Sequence, residues 1–165
     1  MLELVKHPDE LLRKASDPVS DVNGEIADLA ERMIGTMAAE RGIGLAGVQV
    51  GRLVRIFVTH VPDDEPRVFI NPVITARSDD TSSYEEGCLS FPGLYADVRR
   101  SNECTVEAVD ENGKPFRLDA DGMLARVIMH ETDHLDGVLF VDYLSERKRN
   151  RLLSRYEKLL ARGRA

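Results

Sequence analysis

Residues 123–135 contain no glycine or proline, lie between Gly122 and Gly137, and include His130-Glu131-Thr132-Asp133-His134. Such a run predicts a helix with a glycine stop. On a helix, residues i and i+4 lie one above the other on the same face. Both imidazoles can therefore reach one metal ion. Glu131, about 100° round the helix, can still reach a water on that metal and take its proton. The five-residue pattern also occurs on ordinary helices with two unrelated histidines, so its context has to decide.

Two histidines do not complete such a centre, because catalytic zinc-type sites take three protein ligands and keep one open position. The third ligand is either a remote acid or a thiolate. Glu86-Gly87-Cys88-Leu89-Ser90 offers the thiolate, and its glycine together with Pro92-Gly93 places Cys88 in a constrained turn or strand end. Cys104 falls within a strand pattern and reads as a small buried hydrophobe. A third feature, residues 42–51, holds a literal G-x-G-x-x-G at Gly42, Gly44 and Gly47. A dinucleotide fingerprint follows a strand and opens a helix. This one follows a predicted helix and leads into a predicted strand, so it reads as a turning loop or as bare backbone close to a substrate, with Gln49 offering an amide donor.

The chain has 165 residues, of which 42% are hydrophobic and 31% charged. That predicts one globular domain over 1–165. No apolar run approaches the roughly 18 residues of a membrane span, and the N-terminus lacks the basic-then-apolar order of a signal peptide. A cytoplasmic protein is expected. Its two cysteines then read as free, catalytic or metal-binding rather than as a disulfide framework. The net charge is −7, yet residues 145–165 carry eight Lys/Arg and two acids, a local +6, so the rest carries −13. An acidic body argues against a DNA-binding domain.

The periodicity predicts a short helix over 9–14 and a long one over 25–39, with Ile26, Leu29, Met33 and Met37 on one face and a stop at Gly42 and Gly44. Strands are predicted at 53–58 and at 67–70, the latter closed by Asn71-Pro72. A polar loop follows at 78–83, and a hairpin pairs 105–109 with 116–118 across Asp110-Glu111-Asn112-Gly113. The last helix is expected at about 145–162, with Leu152, Leu153, Tyr156, Leu159 and Leu160 as its apolar stripe. Helix, strands, then helices is an α+β order.

Together the three chemical segments resemble the peptide deformylase family. The family pattern is G-x-G-x-A-A-x-Q, then E-G-C-L-S, then Q-H-E-x-x-H; here these are residues 42–49, 86–90 and 130–134, in the same order and at similar wide spacing. The likeness runs from His7-Pro8 to residues 138–144. Gly47 stands where the family usually has Ala, and Met129 where Gln usually precedes the first histidine. Tyr95 stands where several bacterial members carry Arg, and Arg126 replaces an apolar residue of some members.

The resemblance implies an α+β fold with antiparallel sheets around a central helix carrying HExxH, and a C-terminal helix. It implies removal of the formyl group from N-terminal formyl-methionine of new polypeptides, by a metal-bound water with Glu131 as general base and acid. Cys88, His130 and His134 would bind one divalent ion, Fe(II) natively, with Zn(II), Ni(II) or Co(II) as substitutes. The Gln49 amide and the Leu89 backbone N–H would hold the oxyanion. The substrate would lie along Ile43, Gly44 and Leu45 and near Gly87, with its Met side chain against Ile43, Leu89 and Val127. The basic C-terminal helix would offer a ribosome contact by phosphate attraction; a solvated face is its plainer reading. Glu86 and Arg100 are a candidate pair, Asp133 a candidate partner of a ligand histidine or a surface acid, and His7 and His60 structural. Two rivals remain: an HExxH peptidase with a remote third ligand, and a nucleotide-binding module on residues 42–47.

Overall fold

The first long helix, α1 (Gly24–Ala39), begins where the Asn23 side chain accepts the Ile26 N–H at 3.1 Å, with Glu25 in its first turn. Both features satisfy and complement the exposed donors of a helix start. It ends in a Schellman turn: Gly42 N–H bonds to Met37 O and Arg41 N–H to Ala38 O. The left-handed residue of that turn is Arg41, at φ 58°, rather than a glycine. These details come from the computed structural model, which describes residues 1–163, so Arg164 of the basic segment lies outside the described residues.

A five-stranded antiparallel sheet follows, in the order β1 (Gly44–Ala46), β2 (Ile56–Thr59), β3 (Arg67–Arg77), β6 (Glu103–Val109) and β7 (Pro115–Asp121). β4 (Thr81–Gly87) and β5 (Tyr95–Ser101) form a separate hairpin. β1, β2 and the start of β3 are buried on both faces, whereas β6 and β7 expose one, and the alternation sorts the residues. Leu45, Ile56, Val58, Val68 and Ile70 pack with the α1 stripe. Ala46, Phe57, Phe69, Val106 and Ala108 pack with α2 (Gly122–Leu135), where Phe57 and Phe69 stack at 4.6 Å. Each fully buried large apolar side chain contributes roughly 1.5–3 kcal/mol. A third core joins Leu12, Phe91, Leu94, Phe140 and Tyr156, between the hairpin and the last helix, α3 (Glu146–Ala161).

Four expectations change. The strand at 67–70 does not stop at Asn71-Pro72. Asn71 takes φ 51°, its side chain exchanges two 2.8 Å hydrogen bonds with the Val19 backbone, and the strand continues through an irregularity to Arg77. The polar run 78–83 is only partly loop, since residues 81–83 open β4. The first β-rich run is strand only from Ile56, preceded by a bridge between Val54 and Asp17. The short helix is a 3-10 turn, Glu10–Arg13.

The C-terminus of α2 is held from outside. Leu135 O accepts from Ser16 N at 2.8 Å and from Arg55 at 3.1 Å. Cationic donors at that end also suit the helix dipole. Gly137 takes φ 74° and lies against the Arg13 backbone, where no side chain fits.

Candidate metal centre and active site

α2 is buried along most of its length, and it places His130 and His134 one turn apart facing the end of β4. Cys88 follows directly after β4. The available ligand atoms of Cys88, His130 and His134 lie within 4.8 Å of one another, and Cys88 Sγ is 3.3 Å from His134 Nε2. One thiolate and two imidazoles suit Zn(II), Fe(II), Co(II) or Ni(II), whereas Ca(II) and Mg(II) take oxygen ligands. The cluster thus fits a single metal ion.

The arrangement around His130 supports that fit. Its Nδ1 bonds Glu86 Oε1 at 2.9 Å, which leaves Nε2 to face the cluster, the usual way a carboxylate orients a ligand histidine. Glu86 also accepts from Arg100 at 2.6 and 3.0 Å and from Arg126 at 2.7 Å. Burial by itself would raise the Glu86 pKa, but the bonds from His130 and Arg100 outweigh it and hold it at about 2. Arg100 reaches on to Asp133 at 2.9 Å and lies 4.8 Å from the Tyr143 ring centre, while the Tyr143 hydroxyl donates to Asp133 at 2.7 Å. The expected Glu86–Arg100 pair is therefore present. Asp133 is not the plain surface acid of the simpler reading; it acts on His130 only through Arg100 and Glu86.

Glu131 is buried beside His130, with Oε2 at 3.9 Å from His130 Nε2 and Oε1 without a partner among the described residues. Burial pushes its pKa up to about 7 against the pull of His130. Its neighbour across the cleft is Gly44, where a Cβ would lie 2.5 Å from Glu131 Oε2 and 2.7 Å from Val127 Cγ1. A Cβ at Gly42 would meet Leu89 at 2.7 Å. Gly44 thus lets backbone approach the acid, and Gly42 lets it approach Leu89. The Gln49 Oε1 accepts the Ala46 N–H at 2.9 Å, which turns its Nε2 toward Ser90 Oγ at 3.1 Å and Cys88 Sγ at 3.5 Å.

Cys88, His130, Glu131 and Gln49 share one cavity of about 580 Å³. Ile43, Gly44, Gly87, Leu89 and Val127 line it too. Leu45 does not: its side chain is fully buried in the α1 core. His7 stacks on Phe91 at 4.8 Å, and His60 bonds Asp64 O; both lie outside the cluster. The sequence reading missed Arg126 as a partner of Glu86 and Tyr143 as a partner of Asp133. No local pattern signals either, since the partners lie 40 and 10 residues away. The glycine triplet runs from the end of α1 through β1 into a 3-10 turn, Gly47–Val50, so the nucleotide-fingerprint context is absent.

An α+β fold whose buried HExxH helix meets a cysteine and a strand-edged cleft defines a hydrolase-type site. The family model described as polypeptide deformylase matches residues 1–150. The peptide deformylase of Pelagibacter ubique is 48% identical over 160 residues, covering 94% of this chain and 93% of that protein. That of Treponema pallidum is 48% identical over 158 residues, 96% of this chain and 97% of its own. The structure of the Ehrlichia chaffeensis peptide deformylase in complex with actinonin superposes with a TM-score of 0.93 at 38% identity, covering 96% of each chain. The chain belongs to the peptide deformylase family of enzymes.

Proposed function

We propose that the chain hydrolyses the formyl amide of N-terminal formyl-methionine on new polypeptides, releasing formate. The observation that carries this reading is the buried Glu131 carboxylate poised over a Cys/His/His cluster, in a cleft bordered by bare backbone at Gly42 and Gly44. A divalent ion held by Cys88, His130 and His134 would supply Lewis acidity to water and to the formyl carbonyl. Glu131 takes the proton of the attacking water as its oxygen bonds the formyl carbon. Burial, which works against the charged form of Glu131, suits it to act as base and then as acid. It passes the proton to the amine nitrogen as the C–N bond breaks. Gln49 Nε2 and the Leu89 N–H hold the oxyanion in between.

The substrate lies as an added strand along residues 43–45 and beside Gly87. Its Met side chain enters the cavity near Ile43, Leu89 and Val127. Fe(II) is the native ion in this reading, with Zn(II), Ni(II) and Co(II) as substitutes, and the protein works in the cytoplasm. The exposed Arg147, Lys148, Arg151, Arg155, Lys158 and Arg162 of the C-terminal segment form a face that meets ribosomal phosphates. Unchanged co-sedimentation with ribosomes after truncation at Leu144 would remove that contact. The activity itself is tested by formate release from a formyl-Met tripeptide, using protein reconstituted anaerobically with Fe(II) or Ni(II). Release that Glu131→Ala abolishes is expected; no release from metal-loaded protein refutes the proposal.

A further inference from the structure

The large sheet ends at β7, and the ladder fixes what that end offers. Among the described residues β7 pairs only with β6, and no other backbone bond reaches it. Just before the strand, the Asp110 N–H donates to Lys114 O at 2.9 Å. Hydrogen-bonded pairs alternate with non-bonded ones along an antiparallel ladder. Counted from that bond, Phe116, Leu118 and Ala120 turn their backbone groups to Ala108, Val106 and Cys104 of β6. Pro115, Arg117, Asp119 and Asp121 turn theirs outward. Pro115 agrees with that sense, because its missing N–H falls on the side without a neighbouring strand.

Such an edge is a template for another strand, and its side chains decide which strand fits. The Arg117 and Asp119 side chains are 66% and 74% exposed, so both are available to a partner. Lay a second β7 antiparallel to the first, with Leu118 facing its own copy. Arg117 of each copy then stands opposite Asp119 of the other. That pair exchanges N–H···O bonds in both directions, joins opposite charges, and recurs on both sides of the two-fold axis. At the ends the Asp121 N–H meets the Pro115 carbonyl, so the residue without a donor sits where it still accepts. A slide of one step either way sets Arg117 against its own copy or Asp119 against its own copy, and like charges directly opposite are unfavourable. On the other face Phe116 meets Ala120 and Leu118 meets its copy. Phe116 and Leu118 are only half-buried within one chain, and the pairing covers them further.

We propose that β7 is an interface between two copies of this chain, which join edge to edge about a two-fold axis at Leu118 and continue the five-stranded sheet from one copy into the other. β1, whose Gly44 borders the cleft, lies at the opposite edge of the sheet, so the axis stands away from that strand. A seven-residue strand buries less surface than a standard stable interface. The dimer is therefore a weak one, with Kd between micromolar and millimolar.

Sedimentation equilibrium of the metal-loaded protein from about 10 μM to about 1 mM reads the association directly. The unaltered chain should reach a dimer and nothing larger, because a two-fold pairing uses the edge of both copies. Arg117→Asp sets carboxylate against carboxylate and Asp119→Arg sets guanidinium against guanidinium, so each should weaken the dimer about tenfold. Both changes together restore opposite charges and should return Kd to within about threefold of the unaltered chain. Leu118→Cys gives a second reading. Residue 118 meets its copy at a non-hydrogen-bonded position, where Cα atoms lie about 4.5 Å apart, within the span of a disulfide. Mild oxidation should trap Leu118→Cys as a covalent dimer but leave Thr75→Cys, exposed on β3 of the same sheet, uncoupled. A chain that stays monomeric at about 1 mM overturns the proposal. So does a dimer that the single reversals leave intact, or one that the paired exchange fails to restore.

Discussion

α2 and α3 are helices of similar length built on opposite terms. α2 buries ten of its fourteen residues, and α3 buries one of sixteen, Tyr156. The polar groups of α2 are tolerated in the interior mostly because a second group meets them: His130 has Glu86, Arg126 has Glu86 and two carbonyls, and Thr132 has Ile128 O. α3 instead leaves its charges in water and docks by a leucine stripe around one aromatic. The difference teaches where a substitution acts. In α2 it disturbs a network that reaches the metal cluster. In α3 it disturbs attachment.

The largest effect should separate two residues of the α2 region. Glu131→Gln should keep metal at the level of the unaltered protein yet lower kcat on the order of 100- to 10,000-fold, the usual worth of a positioned acid–base group. Cys88→Ser should lose or exchange the metal itself. Metal analysis beside formate release tells them apart, and full metal affinity in Cys88→Ser would revive a site with a remote third ligand.

Next in size is the charge network. Glu86→Ala leaves Arg100 and Arg126 facing each other with their shared carboxylate gone, and their side chains are only 3% and 8% exposed. Stranded buried charge of this kind costs about 3–5 kcal/mol. Urea unfolding of metal-free protein should report that loss, because it takes the metal out of the comparison. A loss below about 1 kcal/mol would place these groups with ordinary surface pairs.

The two helices were also legible in the sequence for different reasons. Glycines at 122 and 137 bracket the HExxH run, and the structure places α2 at Gly122–Leu135. The stripe around Tyr156 predicts 145–162, and α3 spans Glu146–Ala161 after Ser145 accepts the Lys148 N–H. β4 was not legible, because six of its seven residues are exposed and no apolar alternation marks it. The continuation of β3 was hidden because the Asn71 conformation is secured by Val19, 52 residues away. The network was legible only in part. Glu86 and Arg100 read as a candidate pair and Asp133 as a candidate partner of a histidine, whereas the Arg126 and Tyr143 contacts arise only when the hairpin and the turn bearing Tyr143 pack on α2.

A smaller effect is expected where α3 joins the body. Asp142 accepts from Arg13 at 2.6 and 3.0 Å and from Leu139 N at 2.9 Å. Burial would raise its pKa, but the Arg13 bond leads the opposing pulls and holds it below the usual 3.8. A folded-state pKa below the unfolded one contributes stability that is present above the unfolded value and lost as pH falls through the folded one. Arg13 is half exposed, so the pair is worth only about 1 kcal/mol. Asp142→Asn should therefore be less stable than the unaltered protein at neutral pH, and the gap should narrow below about pH 4. A gap that stays constant across that range would assign the loss to packing.

The smallest effects should have opposite signs on the two helices. The Tyr156 hydroxyl is buried with no partner among the described residues, within a ring cluster that includes Phe91 at 5.7 Å. A buried polar group without a partner carries its desolvation cost uncompensated. Tyr156→Phe keeps the ring and removes that cost, so it should be neutral or stabilising by up to about 1 kcal/mol. Thr132 on α2 is buried as well, but its hydroxyl donates to Ile128 O at 2.7 Å. Thr132→Val keeps the shape and removes a satisfied bond, so it should destabilise by about 0.5–1.5 kcal/mol. Thermal melts of the two variants side by side decide the matter. If Tyr156→Phe is the more damaging of the two, the α3 hydroxyl has a partner after all, and the contrast between a helix of paired polar groups and a helix of docked apolar ones weakens at its one buried residue.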